Sequence, residues 1–363
     1  MTKKIIIAGG GTGGHIFPAI AIANALISLD EAIEILFIGA KGKMEMEKIP
    51  QAGFKIQGLD ITGFNRSSLI KNITLPFKLL KSFFQVKAIF KSFKPIAAIG
   101  VGGYSTYPVI KYAQLKNIPT FLHESNSYAG KSNQLLGKQA TKIFVASQGM
   151  QQFFPSNKIV VTGNPIRSTI ANATISKANA LHYFGFNEHQ KTILAIGGSL
   201  GAKSINEALA NHINDFQNNA LQLIWQTGTT TFSHYKTIAQ QRKNVWCNNF
   251  INQMEMAYAA ADIIISRSGA MAVAEICVMG KPTIFVPFPF AAEDHQTKNA
   301  NYLVQQNAAL MVKDNDAQEK LVATVIALAN DNHTQQMLSK NSKALAIKNA
   351  DVLIANQILN SIK

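Results

Sequence analysis

The chain has 363 residues, 47% hydrophobic and 15% charged, with a formal net charge of +15 at pH 7. That length exceeds what one hydrophobic core usually supports, so two domains are expected. No apolar run approaches the roughly 20 residues needed to span a bilayer, and Lys3-Lys4 precedes too few apolar residues for a signal peptide, so a cytoplasmic protein is expected. Cys247 and Cys277 are far apart without CxxC or Cys/His clustering, which reads as two core thiols rather than a disulfide or a metal site. The charge is uneven. Through Lys158, 19 Lys and Arg stand against 7 acids. Between Ile61 and His123 there are nine Lys/Arg and no acid, interleaved with Phe64, Phe77, Phe83, Phe84, Phe90 and Phe93. Such a surface seeks anions: nucleic acid, phospholipid headgroups or phosphorylated substrates.

In chain order, Lys3 to Pro18 reads as a buried strand, a glycine-rich turn and a helix opening near His15. Glycines at 9, 10, 11, 13 and 14 allow positive φ, and the exposed N–H groups with the helix dipole predict an anion site with His15 at its lip. The alternative is a turn that only permits tight strand–helix packing. Gly9-x-Gly11-x-x-Gly14 also matches a dinucleotide fingerprint, but the acid expected after the second strand is missing, since Ile38 runs into Gly39-Ala40-Lys41. A nicotinamide enzyme is therefore the weaker reading.

Apolar strands alternate with amphipathic helical stretches, which predicts doubly wound α/β domains with parallel sheets. First-half strands are expected at 4–8, 34–38, 54–58, 96–100, 119–122, 142–145 and 159–161, before a turn-rich hinge at Thr162 to Arg167. Gly102-Gly103 follows the fourth strand and should sit beside the first loop, because loops at strand carboxyl ends line the ligand crevice. Ser125 and Ser127 after the fifth strand are either functional or helix caps. The pattern then restarts at Lys191 to Ala202, with strands expected at 221–226, 244–247, 262–265, 282–286 and 308–311 and a helical stretch over about 333–358. Two nucleotide-fold units facing each other across a cleft are expected.

Three second-half segments carry chemistry. In Ser266 to Glu275, Gly269 and Ala270 offer N–H groups at a helix start, suited to a diphosphate, and Glu275 one to two turns on can accept from both hydroxyls of a ribose. Its apolar neighbours argue against a merely solvated glutamate. Gln296 can recognise sugar hydroxyls, while Asp294 either does so or caps the helix, and the backbone at Asn249 to Asn252 can read a base edge.

Taken together, GGGTGGHIFP, VGGYSTYP, HESN, GNPIR, IGGSLGA, RSGAMAVAE and VPFPFAAEDHQTKNA, in this order along nearly the whole chain, resemble the motifs of the MurG family of glycosyltransferases. The resemblance implies the GT-B fold, two Rossmann-like domains facing a central cleft. Residues 1–163 would form an acceptor- and membrane-facing domain and 164–340 a UDP-sugar-binding domain, with 341–363 a helix crossing back to the first. It implies transfer of N-acetylglucosamine from UDP-N-acetylglucosamine to undecaprenyl-linked lipid I, giving lipid II. Carried onto this chain, Ser199 and the backbone at Ala270-Met271 would meet the diphosphate, Glu275 the ribose, Ile251 the uracil through its backbone, Gln296 the sugar and Arg167 the nucleotide, with Ala272, Val273 and Ala274 further substrate-binding positions. Thr12, Gly13, Gly14 and Asn126 match sugar-nucleotide contacts, the glycine loops are implied to hold the acceptor diphosphate, and His15 is similar to the proposed general base. Departures from the family pattern fall at Leu200, Ser125 and Lys298.

The implied reaction is an inverting displacement by the acceptor 4-hydroxyl. A histidine titrates near neutral pH and suits the base, with an anion-binding or capping role as the alternative for His15. Arg267 is the expected cation beside the leaving diphosphate. No Asp-x-Asp pair is placed for a metal, and no cofactor is expected. Expected partners are UDP-N-acetylglucosamine, lipid I and an anionic membrane surface, with other cell-wall synthesis proteins as further candidates and a peripheral location at the cytoplasmic face of the membrane. Nucleic acid is not expected, because the basic region is rich in Phe and Leu and matches no reading module. Rival readings are a diacylglycerol glycosyltransferase, a sugar-nucleotide epimerase and a non-catalytic nucleotide-binding protein.

Overall fold

In a computed structural model, residues 2–63 and 74–362 are described; Phe64, Arg66, Ile70 and Lys71 of the basic stretch lie outside them. The chain forms two units, one of Met1–Ile166 with Ile347–Lys363 and one of Arg167–Ala346. The first is built on seven parallel strands, β1 (Lys3–Ala8), β2 (Ile33–Ala40), β3 (Lys55–Leu59), β4 (Ala97–Gly100), β5 (Thr120–Glu124), β6 (Lys142–Val145) and β7 (Ile159–Val161), in the order β3-β2-β1-β4-β5-β6-β7. The second has six, β8 (Lys191–Ile196), β9 (Leu221–Gln226), β10 (Val245–Asn248), β11 (Ile263–Ser266), β12 (Thr283–Phe285) and β13 (Leu310–Met311), in the order β10-β9-β8-β11-β12-β13. These are the expected doubly wound parallel sheets.

The central strands carry unbroken apolar runs, Ile5 to Ala8 in β1 and Ile193 to Ile196 in β8, because both of their faces are covered. Ile5 and Ile7 pack with Ile35, Phe37, Ala97 and Ile99 on one face, while Ile6 and Ala8 pack with Leu36, Ile38 and Ala98 on the other. In the second unit Ile193 and Ala195 share a face with Leu223, Trp225, Ile263 and Ile265. In each unit the winding reverses between the first strand and its later neighbour, β1 beside β4 and β8 beside β11. A crevice opens at such a reversal, lined by the loops leaving the strand ends.

The helical stretch expected at about 333–358 is two helices, Asn332–Ala344 and Ala350–Ser361. Leu338 is buried in the second unit's core, whereas Ile354, Ala355 and Ile358 are buried in the first unit against Ile16, Ile22 and Leu26 of the helix Gly13–Leu29. Two cores claim two apolar stripes, and the chain leaves the helix between them.

The basic helix Leu75–Phe93 carries Pro76 in its first turn, as proline's fixed φ favours, and ends at Lys94 with φ 55°. Val86, Ile89, Phe90 and Phe93 are buried against the first sheet. Phe77, Leu80 and Phe84, spaced for one helix face, remain 74%, 58% and 65% exposed.

Candidate functional site

In the first unit, the loops after β1 and β4 interlock as expected. The Gly10 N–H donates to the Gly102 carbonyl at 3.1 Å, and a side-chain carbon on Gly103 would fall 2.3 Å from the Gly10 oxygen. Gly11 donates its N–H to Oε2 of Glu45 at 2.8 Å. The expected fan of loop donors is therefore narrower, with Gly10 and Gly11 committed inside the protein. What the loop offers an anion is the start of the helix Gly13–Leu29, where Thr12, Gly13 and Gly14 N–H groups have no intrahelical acceptor.

His15 lies in the first turn of that helix. Its Nδ1 is 2.9 Å from the Gly10 carbonyl oxygen and 3.5 Å from Oγ1 of Thr12. A carbonyl only accepts, so Nδ1 carries the proton and Nε2 keeps its lone pair. The ring rests against Gly102, where a side-chain carbon would come within 2.7 Å of Nε2.

The segment after β5 is tied down from within. Glu124 accepts from Asn126 N–H and Nδ2 at 3.1 and 3.3 Å, and from Gly130 N–H and Asn133 Nδ2 at 3.0 and 2.9 Å. The following helix, Lys131–Gly137, has Gly130 as its N-cap, so neither Ser125 nor Ser127 caps it. His123 is fully buried, and burial, then the neighbouring His15, pushes its pKa down to about 4. It is therefore neutral at physiological pH.

In the second unit, Gly269 is the N-cap of the helix Ala270–Met279, so Ala270, Met271 and Ala272 form its first turn. Glu275 on this helix is buried rather than solvated. Its Oε1 accepts from Arg167 Nε at 2.8 Å, and its Oε2 accepts from Arg167 Nη2 at 2.9 Å and from the Tyr258 hydroxyl at 3.1 Å. Burial works against the Arg167 charge, but the Glu275 carboxylate outweighs it and holds the guanidinium pKa above its ordinary value. Burial and the same carboxylate push the Tyr258 phenol well up.

Ser268 and the helix His295–Gln305 are cross-linked. The Ser268 hydroxyl donates to the Gln296 carbonyl at 2.8 Å, and Asn299 Nδ2 donates to the Ser268 carbonyl at 3.1 Å. Gln296 Oε1 accepts from Phe288 N–H at 3.0 Å, which leaves its NH2 end to donate. Asp294 is the N-cap residue but accepts from the Thr297 hydroxyl at 2.6 Å instead of a backbone N–H. The exposed Ser199 loop and Ile251 are joined by Gln226, which donates to the Gly198 carbonyl at 3.1 Å and accepts from Ile251 N–H at 3.0 Å. Ile251 thus has only its carbonyl left for a base edge.

Arg267 is not the free cation expected. Its Nη1 donates to the carbonyls of Val286 and Pro287 at 2.9 and 3.1 Å and pairs with Asp314, while Nη2 reaches Ser204 at 3.2 Å. The charge is neutralised and braces the turn after β12. Cys247 and Cys277 are thiols, their pKa values pushed up to about 11 by burial.

Sequence reasoning assigned no role to Glu45, Gln226 or Tyr258. The signal for Glu45 was indirect. Gly10 and Gly39 are both glycine where a side chain would strike it, 2.2 Å from its carboxyl carbon and 2.5 Å from its Cγ.

Residues 5–145 match the Glycosyltransferase family 28 N-terminal domain and residues 192–356 its C-terminal domain. The chain belongs to this family. It is 46% identical over 363 residues to a Parabacteroides distasonis protein named UDP-N-acetylglucosamine--N-acetylmuramyl-(pentapeptide) pyrophosphoryl-undecaprenol N-acetylglucosamine transferase, covering 99% of this chain and 98% of that one. A Flavobacterium psychrophilum protein of the same name is 45% identical over 360 residues, with 99% and 98% covered. Among solved structures, Acinetobacter baumannii MurG superposes with a TM-score of 0.80 at 27% identity over 99% of both chains. The resemblance drawn from the motifs and the GT-B fold it implied agree with these matches.

Proposed function

We infer that this protein transfers N-acetylglucosamine from UDP-N-acetylglucosamine to the 4-hydroxyl of the muramyl sugar of lipid I, giving lipid II. The near full-length match to relatives named for this reaction carries the reading. In chemical terms the acceptor oxygen bonds to the anomeric carbon, the bond from that carbon to the β-phosphate oxygen breaks, and UDP leaves with the electron pair. The acceptor proton goes to Nε2 of His15, the nitrogen whose lone pair the Gly10 contact leaves available.

The donor is held by the second unit. The first turn of the helix Ala270–Met279 directs N–H groups and the positive dipole end at the diphosphate, with Ser199 beside it. That helix start takes the role first expected of Arg267. Glu275 receives the ribose at Oε1, which has one protein donor where Oε2 has two. Ile251 meets the uracil through its carbonyl, and Gln296 meets the sugar. In the first unit, Thr12, Gly13 and Gly14 bind the acceptor diphosphate, and Asn126, fixed by Glu124, lines the same side. Among the described residues no helix is long and apolar enough to cross a membrane. The exposed Phe77, Leu80 and Phe84 with their lysines support peripheral docking on an anionic leaflet instead.

The test is transfer from labelled UDP-N-acetylglucosamine to a lipid I analogue, with diacylglycerol as the rival acceptor. Product on lipid I alone is expected. Product on diacylglycerol alone would overturn the acceptor assignment.

A further inference from the structure

Glu45 begins the helix Glu45–Gln51 and is 1% exposed. Its carboxylate accepts from Ala40 N–H at 3.0 Å and Gly11 N–H at 2.8 Å, and neither partner is a cation. Two glycines, Gly10 and Gly39, leave out the side chains that would displace it. The second contact reaches the base. Gly11 N–H and the Gly10 carbonyl are the two ends of one peptide unit, and the Gly10 carbonyl is 2.9 Å from His15 Nδ1. Carboxylate, peptide and imidazole are joined in series.

We propose that Glu45 is a positioning residue for His15, acting through the Gly10–Gly11 peptide. A carboxylate at the N–H end fixes the peptide plane and increases the negative charge on its carbonyl, because neighbouring hydrogen bonds polarise one another. The carbonyl then holds Nδ1–H more firmly, selects the tautomer with a bare Nε2 and favours the imidazolium formed when Nε2 takes a proton. Bracing the loop alone would need only an acceptor; the negative charge is what acts on the imidazole. The proposal rests on the reading of His15 as the base.

Glu45→Gln keeps the shape but removes the charge and turns an NH2 toward one of the two N–H donors. We expect kcat to fall about tenfold, less than for outright loss of a base because the carbonyl remains. The KM for UDP-N-acetylglucosamine should stay within about twofold, since the donor site is in the other unit. The acid limb of the kcat profile should move to lower pH, the direction for a base that has lost a nearby negative charge. Glu45→Asp keeps the charge and should leave that limb near wild type even where kcat drops. A Glu45→Gln variant whose acid limb coincides with wild type would make Glu45 a loop brace only. Nitrogen-15 spectra of histidine-labelled wild type, with the His15 signal assigned by its loss in His15→Ala, need no folded Glu45 variant. Protonated Nδ1 and bare Nε2 are expected, and a protonated Nε2 overturns the proposal. If His15→Ala retains its kcat, the base reading fails on its own, while the tautomer and its response to Glu45→Gln still decide whether Glu45 positions the ring.

Discussion

His15→Ala should lower kcat by about 10²–10⁴, the usual range for loss of a general base, while affinity for UDP-N-acetylglucosamine stays near wild type. Rates and calorimetry on one preparation check this, and unchanged kcat would return His15 to an anion-binding role. Glu275 demands a different expectation because its carboxylate already serves Arg167 and Tyr258. Glu275→Ala should weaken donor binding by roughly 1–3 kcal/mol through unpaired hydroxyls. It should also lower stability, with Tyr258 contributing more than Arg167, whose side chain is 35% exposed and rehydrates. Equal Kd for variant and wild type would remove Glu275 from the donor site. Arg167 and Arg267 show why residue type alone decides little. Both are arginines after a strand, yet one is paired with Glu275, in the helix that starts at Ala270, and the other with Asp314 behind the turn after β12. The sequence places neither acid next to its arginine, so the distinction appears only with tertiary contacts.

At the scale of elements, the helix Leu75–Phe93 serves two surroundings. Its later turns bury Val86, Ile89, Phe90 and Phe93, and its earlier turns leave Phe77, Leu80 and Phe84 exposed. Lys87, Lys91, Lys94 and Lys116 line a shallow cavity of about 390 Å³ with Phe90 and Tyr112. Lys81 is paired with Asp60 at 2.9 Å, so it adds less free charge than the sequence implies. Cations near an anionic leaflet contribute about 1 kcal/mol each, and the apolar face adds to that. Changing Phe77, Leu80 and Phe84 together to serine and Lys87 to glutamate should reduce sedimentation with anionic vesicles and activity on membrane-embedded acceptor. Activity on a short-chain soluble acceptor should be spared. Wild-type sedimentation of this variant at low salt would move the docking face elsewhere. The apolar periodicity made this helix legible, but it could not separate an apolar side chain bound for the sheet from one left in water.

Across the whole molecule, the strands were legible because a run such as Ile5 to Ala8 has few alternatives to a doubly covered sheet, and the glycine loops because their backbone conformation restricts residue choice. The Glu45 contact was not legible, since Gly11 and Glu45 lie 34 positions apart in sequence. Nor was the break between Ala344 and Ala350, which depends on which core each apolar stripe joins. Two separate cores also make a thermodynamic prediction, because His123 is buried in the first unit and the donor is assigned to the second. His123 has its folded pKa depressed from 6.5 to about 4, so its neutral form is stabilising above pH 6.5. As pH falls from 6.5 toward 4, the unfolded chain takes a proton that the folded unit refuses, and stability is lost by up to about 3 kcal/mol at 1.36 kcal/mol per pKa unit. That loss should fall on the calorimetric transition of the first unit and be reduced in His123→Gln. UDP at 100 times its Kd should stabilise the second unit by about 2.7 kcal/mol, raising its transition by about 5–10 °C. Scanning calorimetry from pH 7 to 5, with and without UDP, separates the two effects. A UDP shift confined to the acid-sensitive transition would place the donor on the first unit, and an acid response unchanged in His123→Gln would assign the lost stability to other groups.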